Sequence, residues 1–549
     1  STSRTGKIER RETETGALSS SSWTQLATNL NLSTSGSYTD NTVESNKLYE
    51  YRVSSGSTGT ISSYISGYIA TGIEVPMPAY NGEIVLVFAN DIATGTDGSA
   101  PTTFGSTTLN TQINQLIADL QGDKWTVDYA YVTKHMTGSD TPTTVRTKIL
   151  ARSGSNTKAV YLIGNVPIPM IGDVNPDGHA NRVYSSDMMY SDMNETWSNT
   201  GCTLTWSPQW AQIDNPSSTY KFCKTSATPE LQVGRIDMFD MPGYGDEKTL
   251  LEGYLSRMHE TKIATATYLI PENAYFENDL DTWPNTYKVN RDMWNDITSV
   301  VGPFTGSNVT IEPANPASYN SAASTPMTQG TNYGFVHHGS SAGSCNFRVD
   351  VGVITPLAPG GWSLASSASI PGSSTGWTGV FNISGMSYMG EFGCENNLLR
   401  GMLAKGRGAN SMYSLRRFIY WHTMGMGKTI GSSYFNTTAG NASNNTSALY
   451  QPYSWSDNGY NINGTTTLMG DPTMRLSYIK PATNLSVVNS GGQPSMTWTA
   501  PSGTTVDGYL VYKITASDIQ RISGLVTGTS WNENTTFVSG TKYMVTAVK

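Results

Sequence analysis

The sequence predicts an α/β domain with a parallel sheet, flanked at both ends of the chain by all-β sandwiches. The first observation is that continuous apolar runs, such as residues 83–89, alternate with stretches of helical periodicity. This is typical of strands that are buried on both faces and joined by helices. The second is that short period-two stretches, separated by Gly, Ser and Asn, occupy both ends of the chain, as in β-sandwiches. The third is the length of 549 residues, which leaves room for several domains.

The N-terminal segment, residues 1–78, has the alternation of an incomplete sandwich. Its strands are predicted at residues 7–11, 23–26, 38–40, 48–53 and 67–73. The first two strands of a sandwich are missing from this pattern, and their absence would expose pairing edges and part of the core. We therefore expect either a segment of a longer tandem-domain protein or neighbouring chains that donate the missing strands.

An α/β body is predicted over residues 79–478, with halves at 79–240 and 241–478. Its first half follows the order strand, helix, strand, helix, strand, which predicts a parallel sheet with right-handed crossovers. These elements are predicted at residues 83–89, 109–122, 125–132, 144–152 and 158–164. Two further buried strands are predicted at 333–336 and 380–384. In open α/β sheets, functional sites lie beyond the carboxyl ends of such strands.

The C-terminal segment, residues 479–549, again alternates with period two. Strands are predicted at residues 485–488, 495–498, 508–513 and 542–548. The tryptophan Trp498 on an early strand and the two tyrosine-rich strands that follow resemble a fibronectin type III domain. Residues 1–78 carry the complementary part of the same pattern and so resemble a partial fibronectin type III domain. The pattern stops after the sixth strand, so we expect this sandwich to lack its last strand.

Composition excludes several classes of function. The net charge of −8 leaves no global basic field for nucleic acid. No apolar run reaches the ~18–20 residues that a membrane-spanning helix needs. Six scattered histidines and four cysteines make no zinc-spaced cluster, and the segment 425–428 lacks the strand and spacing of a phosphate loop. Only 14% of residues are charged while 54 are glycine, which favours an extracellular or cell-surface protein.

Two of the cysteines, Cys202 and Cys223, lie close together in the chain. A disulfide between them would clip a loop and would fit an oxidising compartment. Two buried thiols would fit the sequence equally well.

Five segments in the α/β body, taken in order, carry a family resemblance. They are VYLIGNVPIP at 160–169, SDMMYSD at 186–192, LQVGRI at 231–236, FVHHGS at 335–340 and LMGDPTMRL at 468–476. Together they resemble the gingipain family of cysteine peptidases. The resemblance implies a caspase-like three-layer α/β fold, a His–Cys dyad at the strand ends, and peptide-bond hydrolysis through an acyl-enzyme.

The resemblance implies that His338 is the catalytic histidine, with His337 in place of the family's glycine. Such an imidazole lowers the pKa of the attacking thiol or protonates the leaving amine. The backbone N–H of Gly339 would contribute to the oxyanion site. Judged from its residues alone, a histidine at a strand end followed by Gly-Ser also fits a turn with a structural histidine.

The expected nucleophile is missing from the corresponding position. Alignment without a gap on the segment 390–392 places Ser387 where the family has its cysteine. The chain is then a catalytically dead member, or the serine replaces a cysteine present in an active parent, or Cys394 is a displaced nucleophile. A disulfide between Cys345 and Cys394 is also open, with two buried free thiols as its alternative. A serine hydrolase is disfavoured, because Ser387 lies in no Gly-x-Ser-x-Gly elbow.

Four carboxylates cluster around the second matching segment: Asp173, Asp177, Asp187 and Asp192. In the family, acids in this region lie near the substrate cleft or bind calcium, which prefers oxygen ligands. Asp187 and Asp192 are therefore candidate calcium ligands, although no EF-hand spacing is present and loop-capping roles fit as well. The implied dyad chemistry requires no cofactor.

Two functions from different classes follow. The first is a secreted or surface protein with a gingipain-like peptidase domain that acts on polypeptides if active and is degenerate at residue 387. The second is an inactive structural or adhesive protein that assembles into a surface layer or filament through its β-sandwich domains. An intact peptidase predicts labelling by a thiol-directed peptidyl inhibitor that is lost in His338→Ala.

Overall fold

The computed structural model of the chain describes most of its length, with internal gaps. The described residues are 4–13, 23–31, 37–57, 65–75, 78–174, 182–205, 217–224, 227–276, 300, 309–311, 332–338, 354–357, 361–364, 377–384, 390–413, 419–440, 463–515 and 518–549.

The N-terminal segment forms one four-stranded antiparallel sheet in the order β2-β1-β3-β4. Its strands are β1 (Arg4–Thr13), β2 (Thr24–Asn31), β3 (Leu48–Ser57) and β4 (Ile65–Gly72). The prediction of a strand at 38–40 is wrong. Asp40 accepts hydrogen bonds there from the backbone N–H and the hydroxyl of Thr42, at 2.9 and 2.7 Å, which makes a local turn instead.

One face of this sheet is buried against the α/β body, and that face is charged. Glu50 accepts from Arg11 Nε at 2.5 Å and lies 3.0 Å from His422 Nε2 in the α/β body. The centre of the Trp23 ring lies 4.4 Å from the Arg11 guanidinium and 4.3 Å from that of Arg52. These charges can be buried because each is paired or stacked on a ring.

The α/β body is built on one mixed ten-stranded sheet in the order β15-β14-β16-β19-β20-β21-β13-β9-β5-β8. The strands of its first half are β5 (Gly82–Ala89), β8 (Trp125–Val132), β9 (Thr157–Ile163) and β13 (Gln232–Ile236), all parallel where they pair with one another. Those of its second half are β14 (Ala274–Phe276), β15 (Val309–Ile311), β16 (Tyr333–His338), β19 (Gly379–Ser384), β20 (Asn410–Tyr413) and β21 (Thr467–Gly470). Only β21 runs antiparallel to its neighbour β20 within the second half, and Arg235 pairs with Met469 where the halves meet.

Helices cover this sheet, and several of them begin at side-chain caps. The helices are α1 (Thr107–Gly122), α2 (Pro142–Arg152), α3 (Met188–Ser191), α4 (Glu247–Lys262), α5 (Leu398–Ala404) and α6 (Ile430–Gly440). Ser106, Thr141 and Asp246 each accept a backbone N–H at the start of α1, α2 and α4. Such caps satisfy amide groups that have no partner inside the helix. Leucine and isoleucine at helical spacing on α1 are buried in the core, as the periodicity predicts.

The α/β body also contains short sheets and 3-10 turns. Short sheets are formed by β6 (Ala93–Thr94) with β7 (Thr103–Phe104), by β10 (Met170–Val174) with β11 (Arg182–Ser185) and β12 (Lys221–Phe222), and by β17 (Ile354–Leu357) with β18 (Gly361–Leu364). Single 3-10 turns occur at Ser218–Tyr220, His422–Met426 and Asn463–Thr465. Within the described ranges, no helix is both long and apolar enough to cross a membrane.

The C-terminal segment forms two three-stranded antiparallel sheets around a shared core. One has the order β22-β23-β26 and the other β25-β24-β27. The strands are β22 (Thr483–Ser490), β23 (Gln493–Thr499), β24 (Gly508–Ile514), β25 (Ile519–Arg521), β26 (Ser530–Asn532) and β27 (Lys542–Val548). Trp498 of one sheet packs edge-on against Tyr509 of the other, with ring centroids 5.3 Å apart. The segment is thus a β-sandwich, and its likeness to fibronectin type III stays a prediction.

Candidate functional site

His338 and the strand that leads toward Ser387 end at the same edge of the sheet. β16 and β19 pair in parallel, with His338 opposite Ser384 at their carboxyl ends. Ser387 follows Ser384 by three residues, a reach of at most about 10 Å along an extended chain. Gly339, Ser387 and the His338 side chain lie outside the described residues. The described backbone therefore places His338 at the end of β16, beside the end of β19.

The strand that carries His338 is held by close backbone packing. A Cβ at Gly334 would lie 2.1 Å from the carbonyl oxygen of Pro271, so no larger residue fits there without a shift. The Gly334 N–H donates to Asn273 Oδ1 at 3.0 Å. His337 is buried, with 1% of its surface exposed, as a strand covered on both faces requires.

Cys394 lies in the loop that follows residue 387 and is not a free thiol. Its side chain is fully buried against Met170 and Val183, and its sulfur is disulfide-bonded. Cys345, the partner predicted for it, lies outside the described residues. A sulfur held in a disulfide carries no thiolate, so Cys394 supplies no nucleophile in this state.

Arg400, near the start of α5, fastens this loop to the first half of the sheet. Its guanidinium donates to the carbonyl oxygens of Cys394 and Phe239, both at 2.5 Å, and lies 3.6 Å from Asp237 Oδ1. Burial lowers the pKa of Arg400, and the Asp237 carboxylate opposes that effect. Because Asp237 directly follows β13, the contact joins the carboxyl end of β13 to helix α5 of the second half.

Asp187, a predicted calcium ligand, forms a buried bidentate pair with Arg235 of β13. Its two carboxylate oxygens accept from Arg235 Nε and Nη2 at 2.9 and 2.8 Å. Arg235 Nη1 also donates to the carbonyl oxygen of Val166 at 2.8 Å, and its guanidinium lies 5.4 Å from the Phe392 ring. The segments at 186–192 and 231–236 thus contribute the two partners of one buried ion pair.

Asp192, the second predicted calcium ligand, caps a turn. One oxygen accepts the backbone N–H groups of Asn194 and Glu195 at 3.1 and 3.0 Å, and the other accepts from Trp197 Nε1 at 2.8 Å. Its side chain is fully buried. These bonds satisfy the carboxylate without a metal ion.

The predicted calcium site stays a prediction. Among the residues that the structure describes, no group of three or more His, Cys, Asp or Glu side chains could hold a metal ion. Asp177 and the Asp173 side chain lie outside the described residues. The described carboxylates already bond to protein donors, which gives each a structural role.

A second charged group at the same edge was not predicted from the sequence. Lys134 bridges Asp91 and Glu247, at 2.7 and 3.1 Å. Burial raises the pKa of the Glu247 carboxyl to about 7, with Asp237 and Asp91 adding to the rise and Lys134 opposing it. The sequence did contain one signal for this charged group, namely the position of its members. Asp91 and Lys134 each follow a buried strand by two residues.

Cys202 and Cys223 are joined by a disulfide, with Cα atoms 5.6 Å apart. The bond closes a loop across a sequence separation of 21 residues. It links the segment after β11 to the end of β12, next to the turn that Asp192 caps.

Comparisons with known proteins show only a distant likeness. No protein-family model matches the chain, and no curated protein matches it in sequence. The crystal structure of dimeric latent PorU from Porphyromonas gingivalis is similar over 82% of this chain and 36% of that chain, with 11% sequence identity and a TM-score of 0.26. The chain thus spans little more than a third of the length of that protein.

Proposed function

We propose that this chain is a secreted protein whose α/β domain retains the architecture of a gingipain-like cysteine peptidase and does not hydrolyse peptide bonds. The observation that supports this most directly is the register of β16 and β19. It brings His338 opposite Ser384, so the loop after β19 that carries Ser387 begins beside the predicted catalytic histidine. A serine thus occupies the position that the resemblance assigns to the nucleophile.

A serine at this position is a poor substitute for cysteine. The thiol of cysteine has a pKa near 8.5, so a neighbouring imidazole readily produces the attacking thiolate. A serine hydroxyl stays protonated and needs a general base that is itself oriented by a third group, as in Ser-His-Asp triads. Since the implied machinery is a dyad, Ser387 lacks the activation it would require.

The described cysteines offer no replacement. Cys202 and Cys223 form one disulfide, and Cys394 is also disulfide-bonded. Disulfides persist in oxidising compartments, which supports secretion or surface exposure of the protein. On this proposal the α/β domain acts by binding or by structural support. The β-sheets at both ends of the chain are the other folded parts of the protein.

Labelling with a thiol-directed peptidyl inhibitor tests the proposal, with adduct formation read by intact mass. The wild-type chain is expected to remain unlabelled and to cleave no peptide from a mixed substrate library. Ser387→Cys is expected to acquire one adduct, and Ser387→Cys with His338→Ala is expected to lose it. Ser502→Cys, which places a thiol on an exposed turn of the C-terminal sandwich, controls for non-specific reaction.

The outcomes separate the two parts of the proposal. Hydrolysis or labelling by the wild-type chain would overturn its inactivity. A Ser387→Cys variant that reacts no faster than Ser502→Cys would overturn the peptidase-like site itself, because the histidine would then not activate a thiol at residue 387.

A further inference from the structure

A cavity of about 300 Å³ opens at the amino edge of the first half of the sheet, away from the strand ends that carry the predicted dyad. Residues at the amino ends of β5, β8, β9 and β13 line one side of it. The segment that leads into α6 lines the other side. The volume lies at the lower end of the range for small-molecule sites.

The lining of this cavity is cationic. Lys124, Lys158, Lys428 and Arg475 all contribute to it, and no aspartate or glutamate is among the described residues that line it. The chain as a whole carries a net charge of −8. A local concentration of positive charge in an acidic protein attracts anions.

Lys124 is the most informative of the four. Only 8% of its surface is exposed, and its ammonium donates to the carbonyl oxygen of Pro78 at 3.2 Å. Among the described residues no carboxylate lies within ion-pairing distance of it. Burial lowers the pKa of Lys124 to about 8; the nearby charges of Arg475 and Arg521 add to this effect, and that of Asp123 opposes it. The ammonium also lies 5.3 Å from the centre of the Tyr512 ring. A lysine is almost never buried so deeply without a paired counter-charge.

The other polar groups around the cavity divide into engaged and available ones. Arg475 is paired with Asp123, so we expect it to attract an anion through its positive charge more than through a direct contact. The first amides of α6 are engaged, since Ile430 N–H and Gly431 N–H donate to backbone carbonyls at 2.8 Å. Lys158 lies exposed, and its ammonium donates to the carbonyl oxygen of Ser155 at 3.1 Å. An anion would therefore bind through lysine side chains and not through helix amides.

We propose that this cavity binds a small organic anion that carries a phosphate or carboxylate group beside an apolar part. Lys124 would hold the anionic group in the interior, and Lys158 would attract it from the solvent side. Tyr80 and Trp125 line the same cavity and offer aromatic surface to the apolar part. The proposal does not depend on the absence of peptidase activity, because it concerns the opposite edge of the sheet.

Calorimetric titration of the full chain with phenyl phosphate at pH 7 and low salt tests this assignment. Saturable binding at one site is expected, and it should weaken at least tenfold in Lys124→Met and several-fold in Lys158→Met. Lys480→Met is the matched control, since its ammonium also donates only to a carbonyl oxygen, that of Ser502 at 3.2 Å, and lies outside the cavity lining. Phenylacetate and inorganic phosphate distinguish carboxylate from phosphate ligands, and benzyl alcohol controls for apolar binding alone.

The pH dependence provides a second readout that a misfolded variant cannot imitate. Affinity of the wild-type chain should fall as the pH rises through about 8, where Lys124 loses its proton. The phosphate group stays doubly charged over that range, since its second pKa is near 6. Lys124→Met should remove this pH dependence, whereas Lys158→Met should keep it. Absence of binding by both organic anions, or binding that neither lysine variant weakens, would overturn the proposal.

Discussion

Replacement of Asp187 by alanine should destabilise the α/β domain through the buried charge that it leaves behind. Arg235 is fully buried, and Asp187 is its bidentate partner at 2.8 and 2.9 Å. Removal of one partner from a buried pair typically costs 3–5 kcal/mol, because the remaining charge is uncompensated. Arg235 keeps its bond to the Val166 carbonyl and a second carboxylate, Asp237, at 3.7 Å. We therefore expect a loss at the lower end of that range, about 3 kcal/mol.

The appropriate assay is urea denaturation in which unfolding is monitored through hydrogen exchange of the backbone amides of β9. A chain of several domains does not unfold in one transition, so the signal has to come from a strand within the α/β domain. Asp187→Asn keeps one oxygen acceptor and should lose less than Asp187→Ala. Glu12→Ala, which breaks an exposed pair with Lys47, should produce no resolvable change.

The same experiment separates the ion pair from the predicted calcium site. If Asp187 serves Arg235 alone, a chelator should leave the unfolding midpoint of the wild-type chain unchanged. A midpoint that falls on chelation in the wild type and does not fall in Asp187→Ala would refute this reasoning and assign the carboxylate to calcium. A loss below about 1 kcal/mol in Asp187→Ala would refute the magnitude, since it would place the pair in a well-solvated setting.

Two further predictions concern the disulfide and the carboxyl with a raised pKa. Replacement of both Cys202 and Cys223 by serine should cost about 3 kcal/mol, as expected for a loop of this length, and should speed hydrogen exchange in β12; unchanged exchange would contradict it. For Glu247, the pKa rises from 4.5 to about 7 on folding, so the folded state holds the proton more tightly and stability should fall as the pH rises from 4.5 to 7. Glu247→Gln should flatten that part of a pH–stability curve, and a variant curve parallel to the wild type would show that another group is responsible.

The sequence predicted the buried strands of the α/β body well because their apolar runs are continuous. The observed strand β5 begins at Gly82, one residue before the predicted run at 83–89. The predicted run at 125–132 coincides with β8. A strand covered on both faces needs apolar side chains at nearly every position, so it can be recognised from a short stretch of sequence alone. The strand predicted at 38–40 failed because Asp40 bonds to its neighbour Thr42, and short polar side chains compete with strand pairing.

The charged contacts were far less predictable, because their partners are distant in the chain. Arg400 and Asp237 are separated by more than a hundred residues, and nothing in either local sequence indicates the other. The burial of charged side chains in the N-terminal sheet was not predicted, for a related reason. Alternation indicated an apolar sandwich core, whereas Glu50 and Arg11 are buried there because His422 and Trp23 lie opposite them.

On the proposed function, the exchange of a nucleophilic cysteine for Ser387 would be compatible with survival of the fold. One ion pair between the two halves joins Arg400 to Asp237, and Asp237 lies beside Arg235, which is paired with Asp187. These ion pairs involve neither residue 387 nor His338. A cysteine-to-serine exchange changes one atom in a loop, so it removes the thiolate at little cost to packing. Arg400 anchors the described part of the segment after β19 through the carbonyl oxygen of Cys394. Ser387→Cys leaves that contact unchanged, so thiol reactivity of this variant would test the proposed site and not the stability of the fold.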